Sequence, residues 1–458
     1  MAGPDGQSCV DPGAGLTRRL VERALRVRTD ALPDDVRRVA RDCLADWIAC
    51  AIAGLAEPAS AIVREAAREE GGHPQATVLG QPWKTSLAQA ALVNGTASHA
   101  LDYDDVNLAV PGHMTVAIVP ALFALAEHRG ASAGDFTGAF VAGYEFACRV
   151  GTLVEPAHYA NGFHATATIG SLGAAMACAH LLGLPAETAC HAIGLAATQA
   201  AGLKAMFGTM AKPLHAGLAS QSGLRAARLA ARGFVARPDV LECGQGFAQV
   251  HGGDFDPDAA LAEPAGGDYL LRNLFKFHAA CYSTHSTIEA VAALRREHAL
   301  AAAQVSAIRV VAGEGCSICN IAHPRTGLEA KFSLRATAAF ALLGIDTGAL
   351  ETWDRVVEPA VTDVLERVEV DLVPGMSLSE SRVAIVRADG TEIVRAHDCG
   401  EAPADKAVQS RRIAAKFRAI AGPALGDVRA RALLGALDAF GGETPVARLA
   451  ELCAAPAR

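Results

Sequence analysis

At 458 residues the chain is too long for one ordinary hydrophobic core and is expected to form about two or three domains. Hydrophobic residues reach 51% while aromatics stay at 5%, so the core must be built from Ala, Leu and Val, which favour closely packed helices. A net charge of −8 removes the basic face of a nucleic-acid binder, and no apolar run reaches the roughly 18–20 residues of a membrane span.

Residues 1–15 are rich in Gly, Pro and Asp, without a basic n-region or an apolar h-region, and are expected to form a disordered tail. Amphipathic patterns predict helices over Leu16 to Arg28, Pro33 to Leu55 and Ala59 to Glu70, the second opening on Asp34 and Asp35, where a helix dipole favours acids. Further helices are predicted over Thr85 to Ala100, Thr115 to His128 and Ala133 to Gly151, the last capped by Ser132. Phe163 to Leu184, Pro185 to Phe207 and Pro213 to Gly233 follow, and the small residues from Gly170 to Ala179 suit a buried helix. No strand–helix alternation precedes residue 265, which excludes a doubly wound sheet, and no internal repeat is visible.

The character changes near Gly266-Gly267. A helix over Ser286 to His298 is followed by a strand at Val305 to Ala312 and helices at Leu328 to Leu343 and Val361 to Arg367. Strands at Val368 to Val373, Ser381 to Arg387 and Glu392 to His397 follow, the last two joined by an Asp389-Gly390 hairpin turn. From Asp405 the pattern is helical again. The expected fold is therefore mainly α: a large all-helical domain (16–265 plus 405–458) with a smaller inserted α+β lid domain (266–404). The cysteines, mostly isolated in helical patterns, fit buried small hydrophobes of a reduced cytoplasm.

Five polar stretches interrupt this apolar chain. The run from Asn94 to Asp105, with His113 after it, packs Asp102, Asp104 and Asp105 beside His99 and His113. His99 and Asp102 would share a helix face if the helix continues, letting the carboxylate fix an imidazole tautomer; a solvated helix end is the plainer alternative. The acids lack the Asp-Asp-x-x-Asp pattern of magnesium-dependent prenyl-transferring enzymes, so no metal is expected. Asn161 to Thr168 puts His164 in the first turn of the small-residue helix, where backbone amides and the Thr166 and Thr168 hydroxyls suit a carboxylate. Lys212, before Pro213, is expected in a non-helical conformation at a helix entrance. Lys276 sits between Phe275 and Phe277, where desolvation would lower its pKa or, alternatively, its head snorkels to water. His285 closes that stretch, and Arg325 is a candidate bidentate grip for a carboxylate or one half of a helix-end ion pair. Cys316-x-x-Cys319 lacks the second ligand pair of a zinc site, and no nucleotide fingerprint is present.

Together, Val93 to Asp105, Gly162 to Thr166, Met210 to Gly217, Lys276 to His285 and Glu329 to Ser333 resemble the MmgE/PrpD family. That family includes 2-methylcitrate dehydratase, cis-aconitate decarboxylase and iminodisuccinate epimerase. His158-Tyr159, Phe207 to Met210 and Pro324 to Thr326 look closer to the epimerase than to the dehydratase. The resemblance implies a homodimer, a site between the domains without cofactor, and a small di- or tricarboxylate as partner. Its site residues fall on Asp102, His113, His164, Lys212 and Lys276. Two departures are Val106, where the decarboxylase has Thr, and Ala165 after His164, where Pro is usual.

The mechanism this implies is proton abstraction beside a carboxylate, with Lys276 or His164 moving the proton and Lys212 carrying carboxylate charge. His113 would be acid or binding group, Asp102 would orient an imidazole or pair with a lysine, Thr166, His285 and Arg325 would contact substrate, and Asp104 and Asp105 would be structural. Elimination of water, as in a 2-methylcitrate dehydratase, is the expected outcome, since a Lys/His-rich polyanion site serves elimination directly. Epimerisation and decarboxylation are the alternatives; a non-catalytic helical dimer would instead scatter these residues.

Overall fold

The computed structural model describes residues 15–253, 255–264 and 268–455. Apart from Gly15, the tail expected over 1–15 lies outside the described residues, and so does the boundary at Gly266-Gly267.

The first half of the chain is helical. Leu16–Leu25 (α1), Asp34–Gly54 (α2) and Pro58–Glu70 (α3) lead to a two-residue hairpin, Ala76–Thr77 (β1) with Lys84–Thr85 (β2). Leu87–His99 (α4) then carries the chain into the acidic run; Ser86 caps it by accepting from the Gln89 amide. Met114–Arg129 (α5) and Ala133–Val154 (α6) come next, α6 opened by a capping box in which Ser132 and Asp135 satisfy each other's amides. A single turn at Ala157–Ala160 (α7) precedes Ala165–Leu181 (α8), Ala186–Ala197 (α9) and Ala211–Ala230 (α10), then short helices at Phe247–His251 (α11) and Pro257–Leu261 (α12).

Helix α8 packs against α5, α6, α9 and α10 and is buried from Ala165 to Ala179, as a helix apolar on all sides must be. Small residues set the spacing. A Cβ on Gly95 of α4 would lie 2.8 Å from the Gly217 Cα of α10, so these two backbones touch only because both positions lack a side chain.

The remaining helices are His285–Glu297 (α13), Gly327–Ala330 (α14), Leu334–Leu343 (α15), Pro359–Leu365 (α16), Lys406–Leu425 (α17), Asp427–Asp438 (α18) and Val446–Cys453 (α19). Between them lies a four-stranded sheet of Val305–Gly313 (β3), Val368–Val373 (β4), Glu380–Arg387 (β5) and Glu392–Asp398 (β6), ordered β4-β3-β5-β6. β3 and β4 run parallel and the other pairs antiparallel; the β5–β6 turn is at Asp389-Gly390, where Gly390 takes φ 85°. One face of β5 buries Ser381, Val383 and Ile385 against α13. The chain then returns: α17 packs along α2, and α19 against α5. No single described helix is long and apolar enough to cross a membrane.

Three expected elements differ. The helix expected over Pro185 to Phe207 stops at Ala197, because the following backbone is spent on its neighbours: Gly202 O accepts from the His164 amide at 3.0 Å and the Lys204 amide donates to Gly162 O at 2.8 Å. The helix expected over Leu328 to Leu343 is divided, with Ser333 capping α15 through the Ala336 amide. Lys212 is helical after all. Pro213 falls in the first turn of α10, where its missing N–H would have had no helical partner.

Candidate active site

Helix α4 ends at His99, and the chain turns through Asp102 at φ 50°, a left-handed conformation uncommon for any residue but glycine. His99 and Asp102 therefore do not share a helix face, and the imidazole takes a different partner. His99 Nδ1 is 2.9 Å from Asp104 Oδ1, and His113 Nδ1 approaches Asp104 Oδ2 at 2.8 Å, within ion-pair distance but off hydrogen-bond angle. Asp104, expected to be structural only, is thus the carboxylate that orients two histidines.

Asp102 instead gathers lysines. Its Oδ1 is 2.8 Å from Lys212 Nζ and 3.1 Å from Lys276 Nζ, while His113 Nε2 stands further off at 3.5 Å. Lys276 also donates to the Asp102 backbone carbonyl at 2.6 Å. Of the two kinds of partner expected for Asp102, an imidazole or a lysine, the lysines stand closer and the His113 imidazole further off. The Asp102 side chain is 34% exposed while those of Lys276 and Asp104 are 3% and 1%, so the cluster faces solvent at Asp102.

His164 caps α8, so it sits just before the first turn rather than in it. Its Nδ1 is 3.0 Å from His215 Nδ1, its ring stacks 6.0 Å from that of His99, and Phe207 meets it edge-on at 5.0 Å. Lys212, from α10, lies 5.3 Å from the centre of the same Phe207 ring. Four elements converge: the α4 turn, the start of α5, the start of α8 and the start of α10, with Lys276 completing the set.

Burial sets the electrostatics. It pushes His99 down to about 4 against the pull of Asp104, and pushes His164 far lower, with His99 and Lys212 adding to the effect. Burial would raise the Asp102 carboxyl, but Lys212 and Lys276 outweigh it and hold the group well below the usual carboxylate range. Asp104 behaves alike, with His99 and His113 as the stronger influence. Asp105 differs: burial raises it to about 7, and it accepts from Thr115 Oγ1 at 2.6 Å and Asn273 Nδ2 at 2.7 Å.

The remaining predicted contacts fare differently. Thr166 Oγ1 accepts the His113 amide at 3.0 Å and is fully buried. His285 begins α13, buried behind Lys276, with Nε2 3.3 Å from Ala280 O. Arg325 is exposed, its amide donating to Glu329 Oε2 at 2.6 Å within a helix cap, and no described contact brings its side chain to the cluster. Sequence reasoning missed Asp104, whose signal is the His99-x4-Asp104 spacing across a turn, and His215, which lies one helical turn beyond Lys212.

Ligand atoms of His99, Asp102, Asp104 and His113 lie within 4.8 Å of one another, a spacing a metal ion could use. The charge balance does not favour one, because two lysine Nζ atoms already crowd the Asp102 oxygen. A separate cleft of about 320 Å³, lined by Arg37, Arg38, Arg41 and Phe440, shares no residue with the cluster.

Two family models match. The MmgE/PrpD N-terminal domain covers residues 18–260 and the C-terminal domain covers 278–438. Among curated relatives, a cis-aconitate decarboxylase of Aspergillus terreus is 27% identical over 481 aligned positions, 97% of each chain. The human cis-aconitate decarboxylase is 28% identical over 411 positions, 85% of this chain and 84% of that one. The cis-aconitate decarboxylase-like protein oryM of Aspergillus oryzae is 31% identical over 304 positions, 63% of each.

Proposed function

The chain belongs to the MmgE/PrpD family, and on that premise we propose that it is a lyase removing CO2 from an unsaturated tricarboxylate of the cis-aconitate type. The observation that carries this is the charge arrangement of the site. Two lysines pair with Asp102, while burial presses the imidazoles of His99 and His164 toward the neutral form. Such a site is rich in positive charge and proton donors and poor in strong bases, which suits a reaction that begins by breaking a C–C bond. Five curated relatives carry the decarboxylase name in some form.

In that reaction the bond to the departing carboxylate breaks and CO2 leaves. The electron pair spreads through the adjacent double bond onto the carbon beside a second carboxylate, and a donor protonates that carbon. Lys212 and Lys276 carry the remaining carboxylates and stabilise the developing charge. Lys276 or His113 gives the proton, and Asp102 holds the lysines at one point. No cofactor is required by these steps.

Loss of water from a hydroxytricarboxylate such as citrate or 2-methylcitrate is the second reading. A bound polyanion raises the proton affinity of His164, whose ring lies beside Lys212 and His99, and a more basic imidazole can abstract the proton next to a carboxylate. Epimerisation of iminodisuccinate shares that first step. We also carry forward a homodimer, supported by the exposed apolar side chains of Leu218 and Leu229 on α10 and of Phe234 beyond it, and a cytoplasmic location, supported by eleven free cysteines among the described residues. Purified protein offered cis-aconitate, citrate, 2-methylcitrate and iminodisuccinate in D2O, followed by NMR, separates the reactions. CO2 release with one deuterium in the product supports decarboxylation, a new alkene from citrate or 2-methylcitrate supports dehydration, and exchange without elimination supports epimerisation.

A further inference from the structure

We propose that Lys416 is a positioning residue for the catalytic run 102–105, fixing the peptide between Asp102 and Asp104 from the side opposite the substrate; the proposal rests on the carboxylate-lyase reading above.

Lys416 comes from α17, 313 positions along the chain from the run it touches. Its Nζ donates to the Tyr103 carbonyl at 2.5 Å, lies 2.6 Å from Asp46 Oδ1 of α2, and stands 4.0 Å from the centre of the Tyr103 ring. The Lys416 and Asp46 side chains are 3% and 1% exposed. The preceding carbonyl, that of Asp102, accepts from Lys276 Nζ at 2.6 Å. Two successive carbonyls of the run are therefore each held by a buried lysine, one from the substrate side and one from behind.

That double hold matters because of what the two neighbouring side chains do. Asp102, in its uncommon left-handed conformation, aims its carboxylate at Lys212 and Lys276; Asp104, two residues on, aims its own at His99 and His113. A conformation of this kind persists only when its surroundings over-determine it. Losing the Lys416 contact leaves the Tyr103 carbonyl buried without a partner and frees the peptide planes that set both carboxylates. The Tyr103 hydroxyl, donating to Gly348 O at 3.2 Å, anchors the ring but not these planes.

The charge arrangement agrees. Burial and the neighbouring Asp104 push Asp46 up to about 6, and burial with Asp46 pushes Asp105 up to about 7, so acidic groups crowd together behind the run. Lys416 meets them: burial disfavours its charge, and Asp46 with its neighbours more than offsets that. A buried ion pair is by itself weak evidence for stability, since apolar replacements often serve as well. What distinguishes this one is that its cation also touches the backbone of the site.

The test compares Asp46→Asn/Lys416→Met, which removes the pair without leaving a lone charge, with Phe417→Leu, a core truncation on the same helix chosen as a stability control. Turnover per folded molecule should fall about 10–100-fold in the double variant, the scale of a sub-ångström to ångström misplacement of catalytic groups, and stay at the wild-type level in Phe417→Leu. Imidazole ¹⁵N signals of His99 and His113 should move in the double variant and not in the control. Should the double variant be too unstable to purify, Asp46→Asn/Lys416→Gln keeps a shorter donor to the carbonyl and should give a smaller displacement of the same signals. Wild-type turnover with unmoved imidazole signals in the pair-removed variant would overturn the proposal. If the wild-type protein turns over none of the acids, the carboxylate-lyase reading fails, and the imidazole signals still decide whether Lys416 positions the run.

Discussion

Asp102 concentrates the chemistry on one oxygen, since a single carboxylate atom meets two lysines. Asp102→Asn keeps the shape and removes the charge, so both lysines lose their common partner. Turnover should drop about 100-fold or more, the usual scale of a lost acid–base or charge-orienting group, and steady-state kinetics would check it. Asp105 predicts the opposite kind of result. Its folded pKa of about 7 stands above the ordinary 3.8, so the fold keeps a proton that the unfolded chain releases. That contribution is complete below 3.8 and is lost as pH rises through 7. Asp105→Asn should therefore melt progressively higher, relative to the parent, from about pH 4 to about pH 7. Thermal melts across that range measure it, and a constant difference would count against it. His99 works the other way: with its folded value near 4 against an ordinary 6.5, its stabilisation is full above 6.5 and declines toward 4. Lowering the pH from about 6.5 toward 4 should weaken the site through His99, while raising it from about 4 to neutrality weakens it through Asp105.

At the scale of elements, the site depends on how closely α4 and α10 approach, because α4 delivers His99 and the acidic run while α10 delivers Lys212. Gly95→Ala would place a methyl 2.8 Å from Gly217 Cα, and neither helix can yield without moving its cargo. A loss of about 1–3 kcal/mol is expected from overpacking, read as a lower melting temperature, together with reduced turnover. Much of this architecture is legible in the sequence, since the small residues of α8, the Ser132 cap and the Asp389-Gly390 turn are local signals. What escapes is whatever a turn or a distant segment decides. The partner of His99 depends on how the chain leaves α4: a continued helix favours Asp102, and the left-handed turn at that residue presents Asp104 instead. Pro213 suggests a break before α10, yet Lys212 is helical because a proline is tolerated in a first turn. The Arg325 amide donates to Glu329 beside the Thr326–Glu329 capping box, a backbone role open to any residue type.

Across the whole molecule, residues from both ends of the chain meet behind the site: Asp46 from α2 and Lys416 from α17. No sequence spacing encodes that contact, whereas the family motifs spread along the chain make the scaffold and the five residues Asp102, His113, His164, Lys212 and Lys276 recognisable together. Lys212→Ala and Lys276→Ala should each cut turnover at least ~100-fold, and Lys276→Ala, which strips a buried partner from both the carboxylate and the carbonyl of Asp102, should also lower the melting temperature. The central claim, that this cluster releases CO2 from an unsaturated tricarboxylate and reprotonates the resulting carbanion, is tested most directly by incubating the protein with cis-aconitate in D2O. Stoichiometric CO2 with a singly deuterated unsaturated dicarboxylate, abolished in Lys212→Ala, is the predicted result. Unchanged cis-aconitate alongside turnover of citrate or 2-methylcitrate, or no reaction with any carboxylate, would contradict it.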